Sequence, residues 1–188
     1  MTITGILLAA GRGQRFDPSG QHNKLLQTLP DGEPVVAASA RHLLAVLPQV
    51  LAVVRPGEHQ VAALLQSLGC EVRVCPGADT GMAASLRHAI ECSRSSSGWL
   101  IALGDMPYVQ PATMQALVRA IGQGADIAAP MFEGRRGNPV AFSASHLARL
   151  LALEGDHGAR AILKNYSVNE VIVSDNGILR DIDTPADL

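Results

Sequence analysis

The sequence predicts an α/β fold: a single domain built on a mainly parallel sheet with helices on both faces. Three observations lead there. Short apolar runs, nearly uniform in hydrophobicity, recur at 3–9, 50–55, 71–75, 99–104, 126–130, 139–143 and 168–174. Between them, residues 33–47, 58–69, 81–93, 111–124 and 143–155 carry apolar side chains at i, i+3, i+4 and i+7, the spacing of one helix face. Strands apolar on both faces and separated by helices belong to a sheet covered on both sides. At 188 residues the chain fits one domain with a sizeable core.

The elements follow in order. ITGILLA (3–9) is a buried strand that stops at Gly11, and Pro34 sits where a first helical turn tolerates proline. VLAVVR (50–55) and EVRVC (71–75) flank a helix that ends at Gly69. SRSSSG (93–98) is a polar loop before WLIALG (99–104), the most apolar strand. Pro111 opens the next helix and Gly124 closes it. From about 126 to 180 the pattern is less regular, with Arg135, Arg136, Gly137 and Gly177. No Pro/Ser linker separates this part, so it is read as further strands and helices of the same domain.

Composition narrows the function. Aromatic residues make up 3% of the chain and the formal net charge is −2, so neither base stacking nor a basic face supports nucleic-acid binding. No stretch approaches the roughly 18 apolar residues of a membrane span, and MTITGILLAAG lacks the charged leading region of a signal peptide. Cys70, Cys75 and Cys92 are odd in number and lack metal-site spacing, which suits free thiols and a cytoplasmic location.

In open α/β sheets, ligands bind beyond the carboxyl ends of the strands. After the first strand the chain reads GRGQRFDPSGQHNK. The third position of a dinucleotide fingerprint is Phe16 rather than glycine, and no P-loop pattern is present. What remains is an anion-binding loop of another kind. Gly11 and Gly13 let backbone N–H groups approach phosphate oxygens, Arg12 and Arg15 present forked donors, and Lys24 adds a point charge. A solvated loop with arginines kept for solubility is the plainer alternative.

Two aspartates stand out. Asp105, in LGDMP, leaves the most apolar strand, and Asp183 lies in the final DIDTPADL. Mg²⁺ takes one or two carboxylates together with substrate phosphates. Asp105 and Asp183 could supply them if the C-terminal segment returns to the sheet. A turn cap before Pro107 is the lesser alternative for Asp105, whereas Asp183 could equally cap a terminal helix starting at Pro185, and spacing alone leaves that open. His88 and Cys92, at i and i+4, are too few ligands for a metal site.

Six segments in order carry a resemblance: LLAAGRGQRF with Lys24, TGMAASLRHAI (80–90), LGDMPYV (103–109), RRGNPVAFS (135–143), GDHGARAIL (155–163) and DIDTPADL (181–188). With them the chain resembles the MobA-like nucleotidyltransferase family, most closely its molybdenum cofactor cytidylyltransferase branch. The resemblance implies a Rossmann-like three-layer α/β/α fold. It also implies transfer of a nucleotide from an NTP to a phosphorylated acceptor with Mg²⁺. Residues 1–110 would then be the NTP-binding half and 111–188 the acceptor-binding half.

Carried over by motif, Leu8, Ala9, Ala10 and Gly11 would meet the base and ribose. Gly13 and Arg15 would hold the β- and γ-phosphates and Lys24 the α-phosphate, with Arg12 a further NTP-binding residue and Lys24, Arg15 and Asp105 the catalytic groups. Gly81 and Ser85 would recognise the nucleoside; Asp105 and Asp183 would bind the metal. Arg135, Arg136, Asn138, Asp156 and His157 are candidates for a molybdopterin-type acceptor, or ordinary loop chemistry. Asn138 departs from relatives that carry histidine there. Ala10 resembles the CTP-using branch, because GTP-using relatives usually have glycine at that position. The product would pass in a transient encounter to a molybdoenzyme. Other readings are transfer from GTP or to another phosphorylated acceptor, a dinucleotide-binding module using Arg55, and a non-catalytic carrier of the cofactor.

Overall fold

The computed structural model describes residues 2–156 and 158–188. Its centre is a parallel half-sheet of β1 (Ile3–Leu8), β2 (Val50–Val54), β3 (Glu71–Val74) and β4 (Gly98–Leu103), in the order β3-β2-β1-β4. The crossovers are α1 (Val35–Leu44), α2 (His59–Ser67) and α3 (Met82–Cys92). After β4 come α4 (Pro111–Gly122), β5 (Ile127–Phe132), β6 (Arg135–Arg136) and β7 (Val140–Ser143). Two short helices, α5 (Leu147–Leu151) and α6 (Arg160–Asn165), precede β8 (Asn169–Ile172).

The strands read as uniformly apolar because alternate residues feed two separate cores. Leu7, Ala52, Val54, Leu100 and Ala141 pack beneath α1, α2 and α4, against Val36, Leu43, Leu65 and Leu117. Ile6, Leu51, Val53, Ile101 and Phe142 pack on the other face, against Leu86, Ile90, Leu150 and Ile162 of α3, α5 and α6. This is the expected three-layer arrangement. Trp99 is fully buried in the second core, and its indole N–H donates to Ser93 Oγ at 2.9 Å.

The sheet is mixed in its second half. β7 runs antiparallel to both β4 and β5, whereas β8 is parallel to β5. The cause is a two-residue hairpin after β5, in which Glu133 and Gly134 both have positive φ (48° and 74°). That is the backbone a tight antiparallel turn requires. The register then slips from Met131↔Arg136 to Ala128↔Ala141, which leaves two extra residues on the returning strand. Gly137 sits in this bulge, where a Cβ would lie 2.3 Å from the Ile178 carbonyl oxygen.

The expected helix over 143–155 is shorter. Ser145 Oγ donates to Asp126 at 2.8 Å, a 3-10 turn occupies Ala144–His146, and only Leu147–Leu151 is α-helical. Among the described residues no helix is long and apolar enough to cross a membrane. Burial pushes the Cys70 thiol up to about 11.

After β8 the chain returns across the sheet's carboxyl edge. The Asp175 carboxylate accepts from Gln110 N at 2.8 Å and Thr113 Oγ1 at 2.7 Å, capping α4 from a distant segment. Gly177 passes so close to Tyr108 that a Cβ would lie 2.2 Å from its carbonyl oxygen. Ile182 N then donates to the carbonyl of Asp105 at 2.8 Å. These contacts carry the C-terminal segment to the end of β4. Gly177→Ala is therefore expected to cost about 1–3 kcal/mol by overpacking, read as a lower urea midpoint with unchanged slope.

Candidate active site

Beyond β1 the backbone is tied to the sheet, with Ala9 N donating to Val53 O and Gly104 N to Leu8 O, both at 2.9 Å. Gly13, at φ 61°, turns the chain, and its carbonyl accepts from Phe16 N and Asp17 N. Phe16 is buried with Leu29, Val35, Ala38 and Ile182. The residue that breaks the dinucleotide fingerprint is thus an apolar anchor holding the loop against the C-terminal segment. The following stretch folds around Asp17, whose carboxylate accepts from Ser19 N, Ser19 Oγ and His22 N at 2.6–2.8 Å. The Ser19 hydroxyl and the His22 amide hold its pKa well below the usual carboxylate range.

Lys24 is buried. Its aliphatic stem runs beside Gly13, where a Cβ would be 3.4 Å from Lys24 Cγ. Asn23 caps the 3-10 turn Lys24–Leu26 by accepting from Leu25 N, and its amide donates to Glu58. The Lys24 ammonium donates to Asp105 Oδ2 at 2.6 Å and to the Ile182 carbonyl at 3.0 Å, and lies 3.5 Å from Asp183 Oδ1. Arg15 Nη1 reaches the other oxygen of Asp183 at 2.5 Å. Four residues separated by up to 168 positions are thereby gathered at one point.

Of the two readings of Asp183, the cap is taken by its neighbours. Thr184 and Asp187 form the capping box of the terminal 3-10 turn Pro185–Asp187, and the Thr184 hydrogen bonds hold the Asp187 pKa down. Asp183 is left to the two cations. Asp181 behaves oppositely: partial burial, then the nearby carboxylates of Asp183 and Asp105, push its pKa up.

A cleft of about 240 Å³ opens beside this cluster. One wall is Leu8, Ala9, Ala10, Gly11 and Arg12; the opposite wall is Gly81, Met82 and Ser85 at the start of α3, with Lys24 and Asp105 also lining the cavity. Gly81 adopts φ 125°, and a Cβ there would lie 2.5 Å from Asp156 Oδ1 and 2.6 Å from Gly155 O. Asp156, expected with the acceptor group, accordingly lines the same cleft as Gly81 and Ser85. Arg12 Nε donates to Asp79 Oδ1 at 2.8 Å across the rim, and each holds the other in its charged form. Sequence reasoning missed Asp79, although it stands in the loop after the third strand, where ligands of such sheets bind.

The remaining acceptor candidates are not brought together. Arg135 and Arg136 are exposed on the β5–β6 hairpin, and Arg136 pairs with Glu170 at 2.9 Å. Asn138 does not line the main cleft; it borders two smaller cavities, one with Phe142 and Arg160 and one with Ser39 and Met114. His157 lies outside the described residues. Among the described residues no three His, Cys, Asp or Glu side chains are grouped to hold a metal ion, so Asp105 and Asp183 would need ligands from a substrate. The arrangement provides an ammonium and guanidiniums for an anion, two convergent carboxylates for a hard cation, and a backbone wall for a flat base.

The profile of the MobA-like NTP transferase domain matches residues 5–171. The purine catabolism protein PucB of Bacillus subtilis is 30% identical over 199 aligned residues, which cover 97% of this chain and 92% of PucB. The crystal structure of Rv0371c from Mycobacterium tuberculosis superimposes with a TM-score of 0.84 at 29% identity, covering 100% of this chain and 95% of that one. Its manganese complex gives 0.81 at 28% identity, over 100% and 96% of the two chains.

Removing the ammonium leaves two carboxylates facing one another. Their side chains are 22% and 28% exposed, so the penalty should fall below that of a fully buried charge. Lys24→Met is expected to lose about 2–3 kcal/mol in a urea titration at pH 7 in metal-free buffer. Much of that loss should disappear in the double variant with Asp105→Asn.

Proposed function

The chain belongs to the MobA-like NTP transferase family, and on that premise we propose that it transfers CMP from CTP to the phosphate of a molybdopterin-type acceptor, releasing pyrophosphate. The observation that carries this reading is the Lys24 ammonium held between Asp105 and Asp183 at the side of a cleft walled by the Leu8–Arg12 backbone.

In nucleotidyl transfer an oxygen of the acceptor phosphate attacks the α-phosphorus in line, the bond to the bridging oxygen of the pyrophosphate breaks, and pyrophosphate leaves. An ionised phosphate needs no general base. The protein's task is to position two polyanions and offset their charge. Gly13 and Arg15 would hold the β- and γ-phosphates. Lys24, exchanging a carboxylate partner for a phosphate oxygen, offsets charge at the α-phosphate. Gly81 and Ser85, which line the cleft, would help recognise the nucleoside.

Asp105 and Asp183 suit a divalent cation. They converge on a single charged point, and hard carboxylate oxygens in a pair, completed by phosphates and water, are what Mg²⁺ takes from such sites. The manganese complex of Rv0371c supports a divalent cation in this family. Bound there, Mg²⁺ would neutralise charge on the leaving pyrophosphate. Preference for CTP rests on Ala10, which is buried and lines the cleft, so its methyl occupies space that a larger base would need.

Purified protein with Mg²⁺, molybdenum-loaded molybdopterin and each NTP in turn should release pyrophosphate with CTP and far less with GTP. Equal turnover would refute the base assignment, and no turnover with any NTP would favour a carrier role. Asp105→Ala should abolish turnover while leaving the circular dichroism spectrum intact. Lys24→Ala should lower kcat by about 10²–10³, the size of one lost electrostatic donor.

A further inference from the structure

The turn that carries Lys24 is tied down by side chains that the chemistry above does not use. Asn23 precedes it, and its carboxamide is engaged at both ends: Oδ1 accepts from Leu25 N at 2.9 Å, and Nδ2 donates to Glu58 Oε2 at 2.5 Å. Glu58 is held in turn by Arg55, which donates to its Oε1 through Nε at 2.8 Å and through Nη2 at 2.5 Å. We propose that Glu58 is a positioning residue for nucleotidyl transfer: acting through Asn23, it fixes the turn that presents the Lys24 ammonium to the cleft. The inference rests on the nucleotidyl-transfer reading and adds to it a residue that stands outside the cleft lining.

The carboxylate has been turned away from its own helix. Glu58 stands immediately before α2, yet its side chain caps none of that helix's amides and reaches instead to a loop 35 residues earlier in the chain. A tight turn with Gly57 at φ 87° joins it to Arg55, whose carbonyl accepts from Glu58 N at 3.4 Å. The side chains of Arg55 and Glu58 are both largely withdrawn from solvent, where charged hydrogen bonds hold their geometry best. The two oxygens are shared out, one to Arg55 and one to Asn23. This division also sets which way Asn23 points. Reversing its carboxamide would set oxygen against the Glu58 carboxylate and NH₂ against the Leu25 N–H, so the ionised carboxylate selects the orientation that caps the turn.

The backbone of Asn23 is used as well: its carbonyl accepts from Leu26 N at 3.1 Å and from Gln27 Nε2 at 3.0 Å. Lys24 is thereby gripped from both sides, with Asn23 tied to Glu58 and Leu25 sunk in the core beneath α1. In the free protein Asp105, the Ile182 carbonyl and Asp183 also hold the ammonium. A phosphate and a cation that draw those carboxylates away would leave the turn as the main support of Lys24. Glu58 then matters most at the moment of transfer.

The test measures pyrophosphate release by the intact protein with Mg·CTP and molybdenum-loaded molybdopterin. Glu58→Ala should lower kcat about 10–100-fold, the size of an ångström-scale misplacement, while KM for CTP stays within about threefold and the circular dichroism spectrum is unchanged. Asn23→Ser keeps an oxygen to cap Leu25 N but cannot reach Glu58, and should show the same loss. Asn23→Asp sets two carboxylates against each other and should be at least as slow. Adding Glu58→Gln to it reverses the direction of the hydrogen bond at unchanged net charge and should recover most of kcat. Wild-type kcat in Glu58→Ala overturns the assignment, as does a loss confined to KM or a swapped pair no faster than Asn23→Asp alone. A second measurement needs no turnover: Glu58→Ala should lower the urea midpoint less in a Lys24→Met background than in wild type, and equal shifts overturn the assignment. Wild-type protein that releases no pyrophosphate with any NTP would instead strike the nucleotidyl-transfer reading, and the urea cycle alone then decides whether Glu58 acts through Lys24.

Discussion

The rest of the site depends on where one ammonium is held. Lys24 comes from a loop after the first strand, Asp105 from the end of the fourth, and the Ile182 carbonyl and Asp183 from the returning C-terminal segment. A buried charge is tolerable only when its donors are matched, and here the three donors of the ammonium face three oxygens. The cluster consequently ties three segments remote in sequence to the carboxyl edge of the sheet, beside the cleft. Its members are also groups suited to phosphate and metal, so the charges that stabilise the free protein are of the kind that the proposed substrate would engage.

The surrounding fold works to make that meeting possible. The parallel half-sheet directs β1 and β4 side by side, with Leu8 opposite Leu103, so their two exit loops share one edge. The C-terminal return needs more: Asp175 caps α4, Gly177 slips past Tyr108, and Ile182 is pinned among Phe16, Leu29, Val35 and Ala38. Phe16 and Ile182 bury the two segments against one another, which brings Arg15 and Asp183, each adjacent in sequence to one of this pair, within ion-pair distance. Packing sets the distances, and electrostatics exploits them.

Much of this was legible in the residues. Uniformly apolar strands alternating with helix-spaced runs point to the layered sheet, and Gly11, Arg12 and Lys24, which stand out by residue type after the first strand, line the cleft. The antiparallel insertion of β7 was not legible, because its tight turn is Glu133–Gly134 rather than the usual Asn-Gly or Asp-Gly signal. The role of Asp183 could not be read from D-T-P-A-D, since the cap sits one residue later, at Thr184. Spacing also could not assign Asp156, which reaches the cleft only because Gly81 leaves room for its carboxylate. Local pattern reports backbone states well. Which distant side chains meet is decided by tertiary packing.

The chain's one tryptophan has a practical bearing. Trp99 stands near the opposite end of β4 from the site, four residues or about 13 Å of strand from Leu103, sealed in the core and bonded to Ser93. Its intrinsic fluorescence will register loss of the packed interior as a whole and stay silent while ligands come and go. Optical work on substrate encounters must bring its own chromophore, whereas denaturation can be followed without a label.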